Sequence, residues 1–141
     1  MKLYMKTNLL LVLVVILSLA ACNKNTNPRS TQYLLIPQNN SGIAGTVTFN
    51  EQINSGTTQV DVELSNTMFY HYSAHIHQGP PSGYHGAVYT FDPMYASGGR
   101  LSYKQYIPLL YDSAIVYNGT FVLHDSTTNN VLGLCGIGIN R

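Results

Sequence analysis

Apolar and polar positions follow two rhythms along this chain. Residues 9–17 are apolar without interruption (LLLVLVVIL), with Lys2 and Lys6 before them and Ala20 and Ala21 after. Past residue 41 the rhythm becomes alternation with period two, the mark of strands that bury one face. Ile43, Gly45, Val47 and Phe49 share one side of a predicted strand. Val60, Val62 and Leu64 share one side of the next, with Asp61 and Glu63 outward. The turn signal Asn54-Ser55-Gly56 between them predicts an antiparallel hairpin. Residues 69–77 (FYHYSAHIH) place Tyr70, Tyr72, Ala74 and Ile76 on one side and His71, Ser73, His75 and His77 on the other. Further short strands are predicted at 87–91, 103–110, 115–117 and 121–124, and residues 131–139 (VLGLCGIGI) read as a buried closing strand. No segment sustains helical periodicity and no internal repeat is present. Seven or more short strands joined by polar turns predict an all-β sandwich or barrel.

Residues 1–21 combine a basic start, an apolar centre and a small-residue end, the three regions of a secretory signal peptide. The apolar run is too short for a membrane span. Leu19-Ala20-Ala21-Cys22 resembles the lipobox of bacterial lipoproteins. That resemblance implies cleavage before Cys22, acylation of its sulfur and of the new amine, and a domain held on a membrane of the cell envelope, outside the cytoplasm. Several acyl chains on one residue anchor durably where a single chain does not. Residues 22–41, rich in Asn, Thr, Ser, Gln and Pro, read as a lipid-anchored flexible tether, with a candidate short strand at 33–36. Residues 42–141 remain as the folded domain, enough for one small core and not for two.

Charge narrows the partners. Without Lys2 and Lys6 the chain keeps five basic side chains against six acidic ones, and no basic cluster. Nucleic acid is therefore not an expected partner. Only 9% of residues are charged and 11 are Tyr, so the surface must be built from Asn, Ser, Thr, Gly and Tyr, which suits an extracellular β domain.

Candidate chemistry lies in His75-Ile76-His77, two imidazoles about 7 Å apart on one strand face. Imidazole suits copper, zinc, iron and nickel alike, and a bare His-Xaa-His on a strand is more often structural than a ligand pair. Three stretches add to it: GTVTF at 45–49, SAHIHQG at 73–79, and FVLHD (121–125) with LCGIGI (134–139). In order and approximate spacing these resemble the copper/zinc superoxide dismutase superfamily. The resemblance implies a Greek-key, immunoglobulin-like sandwich of the dismutase type, with one copper held by His75, His77 and His124. His85, the histidine of the loop after the pair, is the candidate fourth ligand. An alternative register, which matches Phe91-Asp92-Pro93 to the family's Phe-Asn-Pro, puts Thr90 at that place instead.

Departures from the family are as informative. No histidine lies between His85 and His124, so the family's zinc site is expected to be absent, since stable zinc sites want about four ligands. Leu132 stands where the family carries the Arg that guides superoxide to copper. Cys135 has no partner for the family's disulfide, because the only other cysteine is Cys22. Copper binding with weak or no dismutation of superoxide is the resulting expectation, because near diffusion-limited turnover depends on electrostatic steering.

Two other classes fit some of the same residues. The segment AHIHQGPPSGYHGAVYTF (74–91) also resembles the chordin-type CHRD domain, which implies a non-catalytic β binding or structural module. A copper storage or delivery lipoprotein would use the same histidines to exchange metal with a copper donor or acceptor, with Met68 and Met94 as soft helpers or, more ordinarily, as core fillers. Nothing resembles a nucleophile elbow or a phosphate loop. The loop 79–83 is either a flap beside a metal or a simple strand connection.

Overall fold

The computed structural model describes residues 27–141, so the signal segment and Cys22 lie outside the described part. In chain order the elements are β1 (Ser30–Pro37), β2 (Ala44–Glu51), β3 (Thr58–Ser65), β4 (His71–Gln78), β5 (Ala87–Thr90) and β6 (Met94–Tyr95). They continue with β7 (Arg100–Ile107), the single helical turn α1 (Tyr111–Ala114), β8 (Asn118–Asp125) and β9 (Val131–Gly138). The architecture is all-β, as the period-two pattern predicts.

The strands form one antiparallel sheet that curls into a sandwich or half-barrel, in the order β5-β4-β8-β9-β1-β2-β3-β7, with β6 beside β4. The curl turns at β1. Its first six residues pair with β2, from Ser30 opposite Asn50 to Leu35 opposite Gly45, and its last two cross to β9, with Ile36 opposite Leu134. One leaf therefore holds β2, β3 and β7, and the other holds β9, β8, β4, β5 and β6.

The core lies between the leaves. Tyr33 and Leu35 from β1, Val47 and Phe49 from β2, and Val60, Val62 and Leu64 from β3 meet Tyr72, Ala74 and Ile76 of β4 and Phe121 and Leu123 of β8, all buried. These are the inward positions of the alternating pattern, and full burial of each such side chain stabilises by roughly 1.5–3 kcal/mol. The edges β5 and β7 are not paired to each other along their backbones, and side chains close that gap. Gln105 Nε2 donates to Tyr89 Oη at 3.0 Å, and Tyr103 Oη donates to Gln105 Oε1.

Three boundaries differ from the sequence expectation. The expected tether ends well before residue 41, because Ser30–Pro37 is the strand that joins the leaves. Residues 115–117 are not a strand but follow the helical turn α1. Tyr70 precedes β4 and is exposed, whereas the other positions predicted inward on that strand are buried.

Candidate metal centre

β4 and β8 are neighbours, and their register decides which outward side chains meet. Ser73 lies opposite His124, His75 opposite Val122, and His77 opposite Thr120. With Tyr72, Ala74 and Ile76 turned into the core, the histidines of β4 face out. His124 sits diagonal to His75 across the strand pair, within reach of long side chains. The ring centroids of His75 and His124 are 5.3 Å apart, and those of His75 and His77 are 5.9 Å apart. Register shifts between Leu123 and His124 against β9, and between Ile76 and His77 against β5, fall at the ligand candidates. Irregularities of this kind re-aim side chains.

Each ring is oriented by a hydrogen bond at Nδ1. His77 Nδ1–H donates to the backbone carbonyl of His85 at 2.7 Å, and His124 Nδ1–H to the carbonyl of Asn129 at 3.2 Å. A carbonyl can only accept, so both Nδ1 atoms carry the proton and both Nε2 atoms present a lone pair in the neutral ring. His77 Nε2 and His124 Nε2 are buried and have no hydrogen-bond partner. His71 Nε2 and Thr67 Oγ1, outside the candidate site, are unpartnered as well; buried polar atoms are nearly always satisfied, so the orphans on β4 and β8 call for an explanation. His75 Nδ1 lies 3.1 Å from Thr90 Oγ1, directly across its pairing with β5. Burial first, and then the cost of placing a second positive charge beside His124 or His77, pushes the His75 pKa down and so favours the neutral ring.

The carbonyl that holds His124 is itself positioned. Asp125 accepts hydrogen bonds from the Thr127 amide at 2.9 Å and the Thr128 hydroxyl at 2.6 Å. These two, the Thr128 bond first, hold its carboxyl below the ordinary carboxylate range. The turn brings Asn129 into a left-handed conformation (φ 59°) with its carbonyl on His124.

The loop 79–86 folds back over the other end of the site. Gly79 starts it at φ 99°, a conformation open to glycine, and accepts at its carbonyl from the Thr120 hydroxyl at 2.7 Å. The Tyr84 ring then covers His77 at a centroid distance of 4.8 Å. The loop thus contacts His77 through the Tyr84 ring and the His85 carbonyl.

His75, His77 and His124 are therefore brought together. His85 meets them through its backbone carbonyl, and its imidazole is exposed. His71 stacks on Tyr95 instead, with rings 4.7 Å apart and nearly parallel. Met94 is a core residue, and Met68 is exposed on the connection before β4. Leu132 is buried, and Cys135 is a free, buried thiol pushed up to about 12 by its burial. Among the described residues, no three His, Cys, Asp or Glu side chains already form a metal-sized cluster, so the centre is a set of oriented donors and not a closed cage. A groove of about 750 Å³ lies elsewhere, between residues such as Leu64, Tyr95 and Arg100, and no histidine lines it. Sequence reasoning missed Asn129, Tyr84 and the His85 carbonyl, whose only sequence signal is their place in turns beside the histidines.

Chemically, two bare imidazole nitrogens beside a third neutral ring can bind a soft or borderline metal ion or a proton. No protein-family model matches this sequence, and comparison with curated proteins finds no match.

Proposed function

We propose that this protein is an envelope lipoprotein, anchored through Cys22, whose domain holds one copper ion on His75, His77 and His124, with His85 contributing as a further ligand or only through its carbonyl. The observation that carries the copper reading is the pair of buried, unpartnered Nε2 atoms on His77 and His124. Metal-binding histidines commonly donate their second ring nitrogen to a carbonyl, which fixes tautomer and orientation, and both rings do so here. Imidazole donors fit copper without demanding it over zinc.

A copper/zinc dismutase-type Greek-key sandwich is the fold family we favour. Supporting it are the split of strands, with β1, β2, β3 and β7 against β9, β8, β4 and β5, and the meeting of the His-Xaa-His strand with the late His strand. Bound copper would supply one-electron redox chemistry. The chain's own residues orient the donors, keep His75 neutral and cover His77 with Tyr84. Holding or passing on copper fits better than rapid dismutation, because Leu132, at the family's guiding Arg position, is an apolar core residue.

Copper titration followed by electron paramagnetic resonance tests this reading, with superoxide decay measured on the same samples. One tight Cu(II) per chain is expected, lost in the double variant His75→Ala, His77→Ala and in His124→Ala. Failure to bind copper sinks the metal reading and leaves a CHRD-like binding module. Tight binding with decay at the background rate leaves storage or delivery.

A further inference from the structure

One end of the sandwich is fastened to the start of the chain. Arg29 donates through Nε and Nη2 to both oxygens of Glu51 at 2.8 Å, pairs with Asp112 at 2.8 Å through Nη1, and lies over the Tyr111 ring. Cys22 precedes Arg29 by seven residues, which span at most about 25 Å when fully extended. An eight-residue strand is about as long. A bilayer that held Cys22 would therefore lie within one strand length of the Arg29 end.

That end carries exposed apolar side chains from separate connections. Ile53 comes from the β2–β3 turn, Leu110 and Val116 from the segment around α1, and Ile139 from the tail of β9, where its amide donates to the Tyr117 carbonyl. Val116 and Ile139 are 61% and 65% exposed. The register of β1, β2, β3 and β7 and the pairing of Asn118 with Gly138 bring all four to the Arg29 end. A mainly apolar cleft of about 240 Å³ between the leaves is lined at this same end by Ile107, Pro108, Leu109, Ala114 and Tyr117. Arg29 offsets only one of the two acids beside the patch, Glu51 and Asp112, so the apolar side chains, and not charge, favour a lipid surface. Single exposed apolar residues are ordinary, but several gathered at a tethered end suit the boundary between headgroups and acyl chains.

We infer that the protein docks this end on the lipid surface, with Ile53, Leu110, Val116 and Ile139 entering the headgroup boundary of the bilayer that holds Cys22. The inference rests on the lipid anchor proposed above. Docking fixes the domain's orientation, so that Met68, Tyr70 and Tyr95, at the opposite end, point away from the bilayer.

The chain contains no tryptophan, so one introduced indole is a clean reporter. The acylated full chain carrying Val116→Trp, Ile139→Trp or Tyr70→Trp is reconstituted into phosphatidylethanolamine and phosphatidylglycerol vesicles with brominated acyl chains. The first two should be blue-shifted and quenched about twofold or more, and the third should be unaffected. Equal emission from all three in protein that floats with the vesicles overturns docking while keeping the anchor. Protein that does not float with them removes the anchor, and docking with it. Circular dichroism checks folding, and the two reporter positions are independent of each other.

Discussion

His124 donates from Nδ1 to the carbonyl of Asn129, five residues later, across a turn tied by Asp125. Through this bond the turn sets which nitrogen of His124 faces its neighbours. Asp125→Asn should loosen that setting and weaken copper binding by about 10- to 100-fold, as for other residues that orient metal ligands. Because the native carboxyl is held below its ordinary value, its contribution to stability is present above the unfolded carboxylate range and is lost as pH falls through the lowered native value. Thermal unfolding of wild type and Asp125→Asn should therefore differ at pH 7 and converge in strong acid. A constant difference at both pH values would refute the role given to the carboxylate.

Copper should stabilise the folded chain. A ligand that binds only the native state at 100 times its dissociation constant adds about 2.7 kcal/mol. Wild type should show a copper-dependent rise in unfolding temperature, and the His75→Ala, His77→Ala protein none, with little difference between them in the presence of chelator. Equal shifts in both proteins would place the metal elsewhere.

Cys135 should be chemically silent in the folded state. Burial among the core strands pushes its thiol up to about 12, so at pH 8 almost no thiolate exists and the sulfur is out of reach. A thiol reagent such as Ellman's should leave it unmodified until guanidinium is added. Rapid modification under native conditions would mean that β9 opens readily.

Arg29 should control fraying of β1. Its guanidinium holds the Glu51 carboxyl down at about 2, so the link is intact from neutral pH down through the ordinary carboxylate range and fails only as pH approaches that low value. Arg29→Ala should accelerate amide exchange in the first half of β1 and leave β4 and β8 unchanged. Uniform acceleration across the domain would contradict a local staple.

The sequence pattern disclosed most of the fold wherever one face of a strand is polar. Asp61 and Glu63 alternate with Val60, Val62 and Leu64, and that strand formed as expected. β1 was legible only as a short strand at 33–36 within a tether, because Leu34 and Ile36, which point outward at 72% and 54% exposure, are as apolar as the buried Tyr33 and Leu35, so no alternation marks its full length. Residues 115–117 misled for a related reason, since a short apolar run fits a strand or the end of a helical turn equally well. That His75 and His77 share one face of β4 was legible from period two alone. Bringing His124 beside them depends on a pairing between residues about 50 apart, which local pattern does not encode and which the family resemblance supplied.

The crossing strand β1 also sets the order in which the molecule can be completed. Its first six residues can zip to β2 as soon as residue 51 exists, but its last two residues wait for β9, about 100 positions later. Closure of the two leaves is thus the most non-local event in the chain, and such contacts form slowly. A ribosome that has not yet released β9 holds a chain with an open core, whose β8 is paired with β4 but still lacks its other neighbour. β9 acts as the latch, and its removal should prevent the two leaves from closing.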